Sequence, residues 1–266
     1  MSDIDTKTQP RVLTERRGPI LVVTINRAEA KNAFDEETAA QMNAAMDELE
    51  STDELFVGVI TGAGGTFSAG ADLKAARKAR ESGEKRAMPP RGGFGIMREP
   101  PKKPLIAAVE GFAVGGGMEL CLSCDLVVAA ETAKFGLPEV RWNVLAVGGG
   151  LFRLHQRIPM NIAMEMALTA TPRDAAFLER WGFVNRITPE GGALDGALEL
   201  AETMLANGPR ALAATKQIIR ASRDWATEAD CWANQMPIAN TAIQSEDTME
   251  GLKAFAEKRR PIWKGR

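Results

Sequence analysis

Two glycine-rich turns constrain this chain more than any other feature: F-S-A-G-A-D-L-K at 67–74 and G-F-A-V-G-G-G-M-E-L at 111–120. Each follows an apolar run of strand length, Phe56 to Thr61 and Leu105 to Glu110, and each leads toward a helical stretch. Glycines placed there let backbone N–H groups point outward together, where the positive end of the helix favours an anion. Two such turns facing each other would make an oxyanion site; either alone is better read as a tight strand–helix connection. Nucleotide motifs fit poorly. After Gly62-Ala63-Gly64, Phe67 stands where a dinucleotide fingerprint wants its third glycine, and no glycine run leads into Lys-Ser or Lys-Thr.

The flanking pattern sets the class. Val12 to Arg17 and Ile20 to Ile25 flank Gly18-Pro19 and read as a hairpin. Asp35 offers an N-cap for a helix through about Glu50, with Ala39, Met42, Ala45, Met46 and Leu49 as its apolar stripe. Leu126 to Ala130 is a further strand. Residues 75–103 are basic and rich in proline and glycine, which predicts a helix followed by a mobile loop. Beyond Gly148 helices dominate, over 193–206, 210–222, 227–241 and 246–258. The expectation is an α/β domain with a helical C-terminal extension: a loose polar tail over 1–10, a core over 11–192 and a helical region over 193–266.

Charge and cysteine content narrow the function classes. Lys plus Arg is 33 against 35 for Asp plus Glu, a near-balance that argues against a whole-domain polyanion binder. No run reaches the apolar length of a membrane span, and the first ten residues lack the apolar core of a signal peptide, so a cytoplasmic address is expected. Cys121 and Cys124 form a C-x-x-C, but a zinc site would need Cys231 and the single histidine, His155, to converge on them. The pair reads instead as small buried hydrophobes on one helical face, and no metal is expected.

Two carboxylates stand near the turns. Glu119 falls in the first turn of the helix after the second glycine run, and Glu139 sits in K-F-G-L-P-E-V behind Pro138. Paired carboxylates can divide general acid and general base work on a water when their environments separate their protonation. Spacing alone does not bring them together; taken singly, each is more often a solvated or capping residue.

With these residues in place, the chain resembles the enoyl-CoA hydratase/isomerase, or crotonase, family from about Val12 to Trp263. The resemblance is carried by N-R-A-E-A-K-N-A-F at 26–34, both glycine turns, K-F-G-L-P-E-V at 134–140, W-G-F-V-N-R-I at 181–187 and E-G-L-K-A-F-A-E-K-R-R-P at 250–261. It implies the crotonase (ClpP-like) spiral of ββα repeats, an α/β fold with a helical C-terminal trimerisation region, and a homo-trimer or dimer of trimers. It implies an oxyanion hole from the amides of Ala71 and Gly116, with Glu119 and Glu139 as the hydratase glutamates adding water to an enoyl-CoA. Coenzyme A would be part of the substrate, with no separate cofactor. Family contacts to CoA or substrate match Arg27, Glu29, Ala30 and Lys31 in the first motif, and Ala69, Ala71, Asp72, Leu73 and Lys74 in the second. Gly116, Pro138 and Trp142 complete the set.

One segment departs from the family pattern. After Glu139 the chain reads V-R-W-N-V-L-A-V-G-G-G-L-F-R-L. Typical hydratases carry glycine where Asn143 stands and Pro-Gly near Ala146-Val147. A specialised member, such as a carnitinyl-CoA-dehydratase-like enzyme or an enoyl-CoA isomerase, is therefore the alternative. Two rival classes fit less well. Thr66-Phe67-Ser68-Ala69-Gly70 lacks the first glycine of a serine-hydrolase elbow, and the cationic run 74–86 has no interleaved aromatics for stacking on nucleic acid. Neither a nucleic acid nor a membrane is expected as a partner.

Overall fold

The computed structural model describes residues 9–83 and 87–266. Residues 1–8 of the N-terminal tail, and Lys85 and Arg86 of the cationic run, lie outside the described residues. The hairpin forms as expected, β1 (Val12–Arg17) pairing antiparallel with β2 (Ile20–Ile25). From β2 the sheet continues in parallel through β3 (Val57–Gly62), β4 (Leu105–Val109), β6 (Leu126–Ala130) and β9 (Arg186–Thr188). The central strands are apolar on both faces, as burial between two layers requires.

On one face lies α1 (Glu36–Ser51), capped by Asp35, whose side chain accepts from the Thr38 amide. Met42, Ala45, Met46 and Leu49 of α1 pack with Leu21, Val23 and Ile25. The other face is covered by α7 (Ala193–Leu205): Ala193, Ala197 and Ala201 meet Val22, Val59, Ile106 and Val128, with Leu194, Leu198 and Leu205 at the edge. This helix, read from sequence as the start of a C-terminal extension, thus closes the sheet within the chain. Its alanines bring it close to the strands, and a Cβ on Gly196 would stand 2.7 Å from Thr188 Cγ2.

A second sheet, β5 (Phe112–Val114), β7 (Lys134–Gly136) and β8 (Arg173–Asp174), is invisible to periodicity because no strand exceeds three residues. The bridges Phe34–Ala71 and Ser68–Ala113 bring both glycine turns beside it. The first turn leads into α2 (Leu73–Ser82) and the second into α3 (Gly116–Ser123).

The stretch expected to be a mobile loop is docked from Arg91 onward. The Arg91 amide donates to Asn43 Oδ1 and its guanidinium pairs with Asp47 at 2.7 Å, fastening it to α1.

After β7 come α4 (Gly150–Leu154), α5 (Met160–Thr169) and α6 (Ala175–Arg180). After α7 the chain forms α8 (Pro209–Ala221), α9 (Glu228–Ile243) and α10 (Glu246–Ala256). Among the described residues, no helix is long and apolar enough to cross a membrane.

Candidate active site

The two glycine turns meet. Gly70 has φ +91°, and a Cβ there would stand 2.7 Å from the Gly116 nitrogen and 2.9 Å from the Val114 carbonyl oxygen. Only glycine allows so close an approach in that conformation. Phe34 N–H donates to Gly70 O and Asp72 N–H donates to Phe34 O, so the Ala71 amide between them faces away from that bridge. Gly116 opens α3, where a helical N–H has no acceptor inside the helix. Among the described residues neither the Ala71 nor the Gly116 amide donates to a protein acceptor. Both residues line one cavity of about 950 Å³.

Glu119 and Glu139 line the same cavity. Glu119 is only 6% exposed, and its Oε1 accepts from the Gly150 amide at 2.9 Å. Burial raises its pKa, opposed by the Gly150 and Gly148 amides and by the Arg153 charge. Glu139 is also raised, first by burial and further by the charge of Glu119, with its own backbone amide opposing. Its Oε2 is buried without a hydrogen-bond partner among the described residues. Glu139 thus feels the charge of Glu119, and both carboxyls are biased toward the protonated form.

Of the remaining candidates, Ala69, Leu73, Pro138 and Trp142 line the cavity, while Arg27, Glu29, Ala30, Lys31, Asp72 and Lys74 do not. Arg27 is turned inward at 9% exposure. Its guanidinium donates to the Ala33 carbonyl and to Asp72 Oδ2, and pairs with Asp35. It braces the first motif against the second and presents no free charge. Asp72 caps α2 through the Lys74 and Ala75 amides. Glu29, Lys31 and Lys74 are exposed, and Ala30 is half-buried in a short 3-10 turn.

The departing loop keeps a glycine-like backbone. Asn143 takes φ 52° and ψ 36°, the left-handed region that asparagine tolerates better than most residues. Val147 is 81% exposed and Trp142 72%, both at the cavity wall. Sequence reasoning missed Phe94, Met97, Phe152 and Arg153 on that wall. Phe94 stacks on Phe34 with centroids 4.1 Å apart and leans over Gly116. No sequence signal marks Phe94 as a wall residue, because its place depends on the docked loop. Arg153 lies in the L-F-R-L segment, and only the fold brings it to Glu119.

The rival chemistries lose their residues here. Ser68 is wholly buried, its hydroxyl donating to Asn32 O and accepting from the Gly70 amide. His155 is exposed on the surface just past α4. Cys121 and Cys124 are fully buried at the end of α3, and burial pushes the Cys124 thiol up to about 12.

A family model described as enoyl-CoA hydratase/isomerase matches residues 15–266. The chain is 40% identical to a carnitinyl-CoA dehydratase of Citrobacter koseri, over 94% of this chain and 97% of that protein. It is 41% identical, with the same coverage, to one of Salmonella agona. The crystal structure of an enoyl-CoA hydratase from Mycobacterium tuberculosis superimposes with TM-score 0.91 at 46% identity, covering 97% of this chain and all of that one. A carnitinyl-CoA hydratase from Mycobacterium avium gives TM-score 0.76 at 39% identity, covering 97% and 100%.

Proposed function

The chain belongs to the enoyl-CoA hydratase/isomerase family, the crotonases, and on that premise we propose that it hydrates the α,β double bond of an enoyl-CoA. The observation that carries this reading is the convergence on one cavity of two undonated amides, the buried Glu119 carboxyl and the half-buried Glu139 carboxyl. In the reaction the thioester oxygen accepts from the Ala71 and Gly116 N–H groups. These donors strengthen as negative charge builds on that oxygen, each worth about 3–4 kcal/mol in the transition state.

Water lies between Glu119 and Glu139. One carboxylate takes its proton while hydroxide oxygen bonds to the β-carbon and the double-bond electrons move onto the thioester oxygen as an enolate. A carboxyl then delivers a proton to the α-carbon and the thioester carbonyl re-forms. Burial raises both groups above the ordinary carboxylate value, which suits them to exchange protons with the substrate water. No cofactor beyond the coenzyme A carried by the substrate enters the scheme, and Lys31 and Lys74, exposed beside the turns, receive its phosphates.

The second reading is dehydration of a specialised 3-hydroxyacyl thioester, favoured by the names of the curated relatives and by Trp142 on the wall. A trimer or dimer of trimers completes the proposal. Trp232, Met249, Leu252 and Phe255 of α9 and α10 leave apolar surface for a neighbouring copy. A cytoplasmic address belongs to the same reading.

The test follows loss of the conjugated absorbance of crotonyl-CoA and of a longer enoyl-CoA, with Glu119→Gln and Glu139→Gln alongside. Collapse by about a hundredfold or more in both variants is the expected result. Wild-type protein that binds CoA thioesters yet leaves both substrates untouched would overturn simple enoyl hydration.

A further inference from the structure

We propose that the acyl pocket selects thioesters whose chain ends in a carboxylate and disfavours a chain ending in a cation. The inference rests on reading the cavity as an acyl-thioester site. Besides Glu119 and Glu139 at the reacting end, the charged side chains on the cavity wall are Arg98 and Arg153. Both, with Phe152, also line an adjoining cleft of about 490 Å³. That cleft adds Lys102, Arg157, Lys216, Arg220 and Arg223 against a single acid, Asp224.

Part of this charge has a structural purpose. Arg157 donates to the carbonyls of Cys124 and Asp125, Arg220 to that of Ser123, and Arg153 to Ser123 Oγ and Met97 O. Lys216 and Arg220 pair with Asp125 at 2.7 and 3.3 Å. The end of a helix carries only about half a negative charge, however, and Asp125 one more. Arg98, Arg153, Arg157 and Arg223 have no carboxylate within 4.0 Å among the described residues. The surplus is positive, and Arg98 and Arg153 bring it onto the wall of the cavity that holds Glu119.

The aromatic alternative, a cage for a quaternary ammonium, is poorly built. Arg153 already lies over the Phe152 ring at 5.5 Å, Phe94 has one face covered by Phe34, and Trp142 is largely exposed. A cationic chain end in this cavity would face the Arg98 and Arg153 guanidiniums on the same wall as these rings.

Calorimetric titration with three saturated thioesters of matched length tests this without requiring turnover: glutaryl-CoA, pentanoyl-CoA and 4-trimethylammoniobutyryl-CoA. Glutaryl-CoA is expected to bind tightest and the cationic thioester weakest, with about tenfold or more between them. The spread should narrow as salt is raised and in Arg98→Gln, whose side chain is exposed and whose folding a circular-dichroism spectrum checks. Equal affinities, or a cationic thioester that binds as tightly as pentanoyl-CoA, would overturn the charge selection and leave the thioester site standing. A spread unchanged in both Arg98→Gln and Arg157→Gln would overturn it too. Failure of all three ligands, and of coenzyme A itself, to bind would instead sink the acyl-thioester reading and this inference with it.

Discussion

Replacing Gly70 by alanine adds one carbon at the contact between the two glycine turns. That carbon would stand 2.7 Å from the Gly116 nitrogen, roughly 0.7 Å inside the distance at which ordinary contact begins, and 2.9 Å from the Val114 oxygen. Both obstacles are backbone, so no side chain can swing away; the turns must part. A displacement of that size takes a donor out of the narrow range, about 2.7–3.1 Å, in which it stabilises an oxyanion, and loss of one such donor costs about 10²–10³ in kcat. Alanine at φ +91° adds about 1–2 kcal/mol of backbone strain, which lowers Tm by a few degrees in a chain of this size. The assay is the initial rate on crotonyl-CoA at saturating substrate, with the melting temperature measured beside it. Gly65→Ala is the matched control: its φ is +71°, but a Cβ there meets nothing within 4 Å. It should lose stability by a similar amount and keep its turnover. A folded Gly70→Ala protein working within about threefold of wild type would refute the claim that these two turns hold the reacting oxygen.

Three further outcomes follow from the same geometry. Gly148→Ala places a Cβ 2.4 Å from Met97 Sδ and 2.7 Å from Glu119 Oε2, so kcat on crotonyl-CoA should fall by about ten- to a hundredfold; unchanged kcat would show that Glu119 has room to spare. Glu139 has a raised pKa in the fold, so as pH climbs through and above the ordinary carboxylate range the unfolded chain ionises first and folding is progressively penalised. The Tm of Glu139→Gln relative to wild type should therefore rise from pH 4 to pH 8, and a fall over that interval would contradict the assigned burial. Thiol labelling of the native protein should modify Cys231 readily and reach Cys121 and Cys124 only on unfolding; prompt reaction of all three would mean that the end of α3 opens freely.

What was legible in the residues was whatever local physics decides. The hairpin at Gly18-Pro19, the Asp35 cap, the apolar stripe of α1 and the strand 126–130 all follow from turn chemistry and periodicity, and the structure has them where expected. Both glycine turns and both glutamates were also visible, because glycine runs and ordered motifs survive as text. The family followed from several such motifs in order, and the matching family model and superimposed structures agree.

The second sheet was hidden, since strands of two or three residues carry no period to detect. The docking of residues 91–97 was hidden too, because Asn43 and Asp47 look like ordinary polar positions of α1 until Arg91 meets them. Sequence alone thus determined which residues could do chemistry: two flexible turns with amides to spare and two carboxylates near them. Only the tertiary structure decided that Gly70 and Gly116 touch, that Arg27 braces the loops from inside, and that Arg153 stands beside Glu119. The reason is physical. Periodicity and capping act over a few neighbouring residues, whereas the approach of two backbones and the charge felt by a buried carboxyl depend on chain segments tens of residues apart.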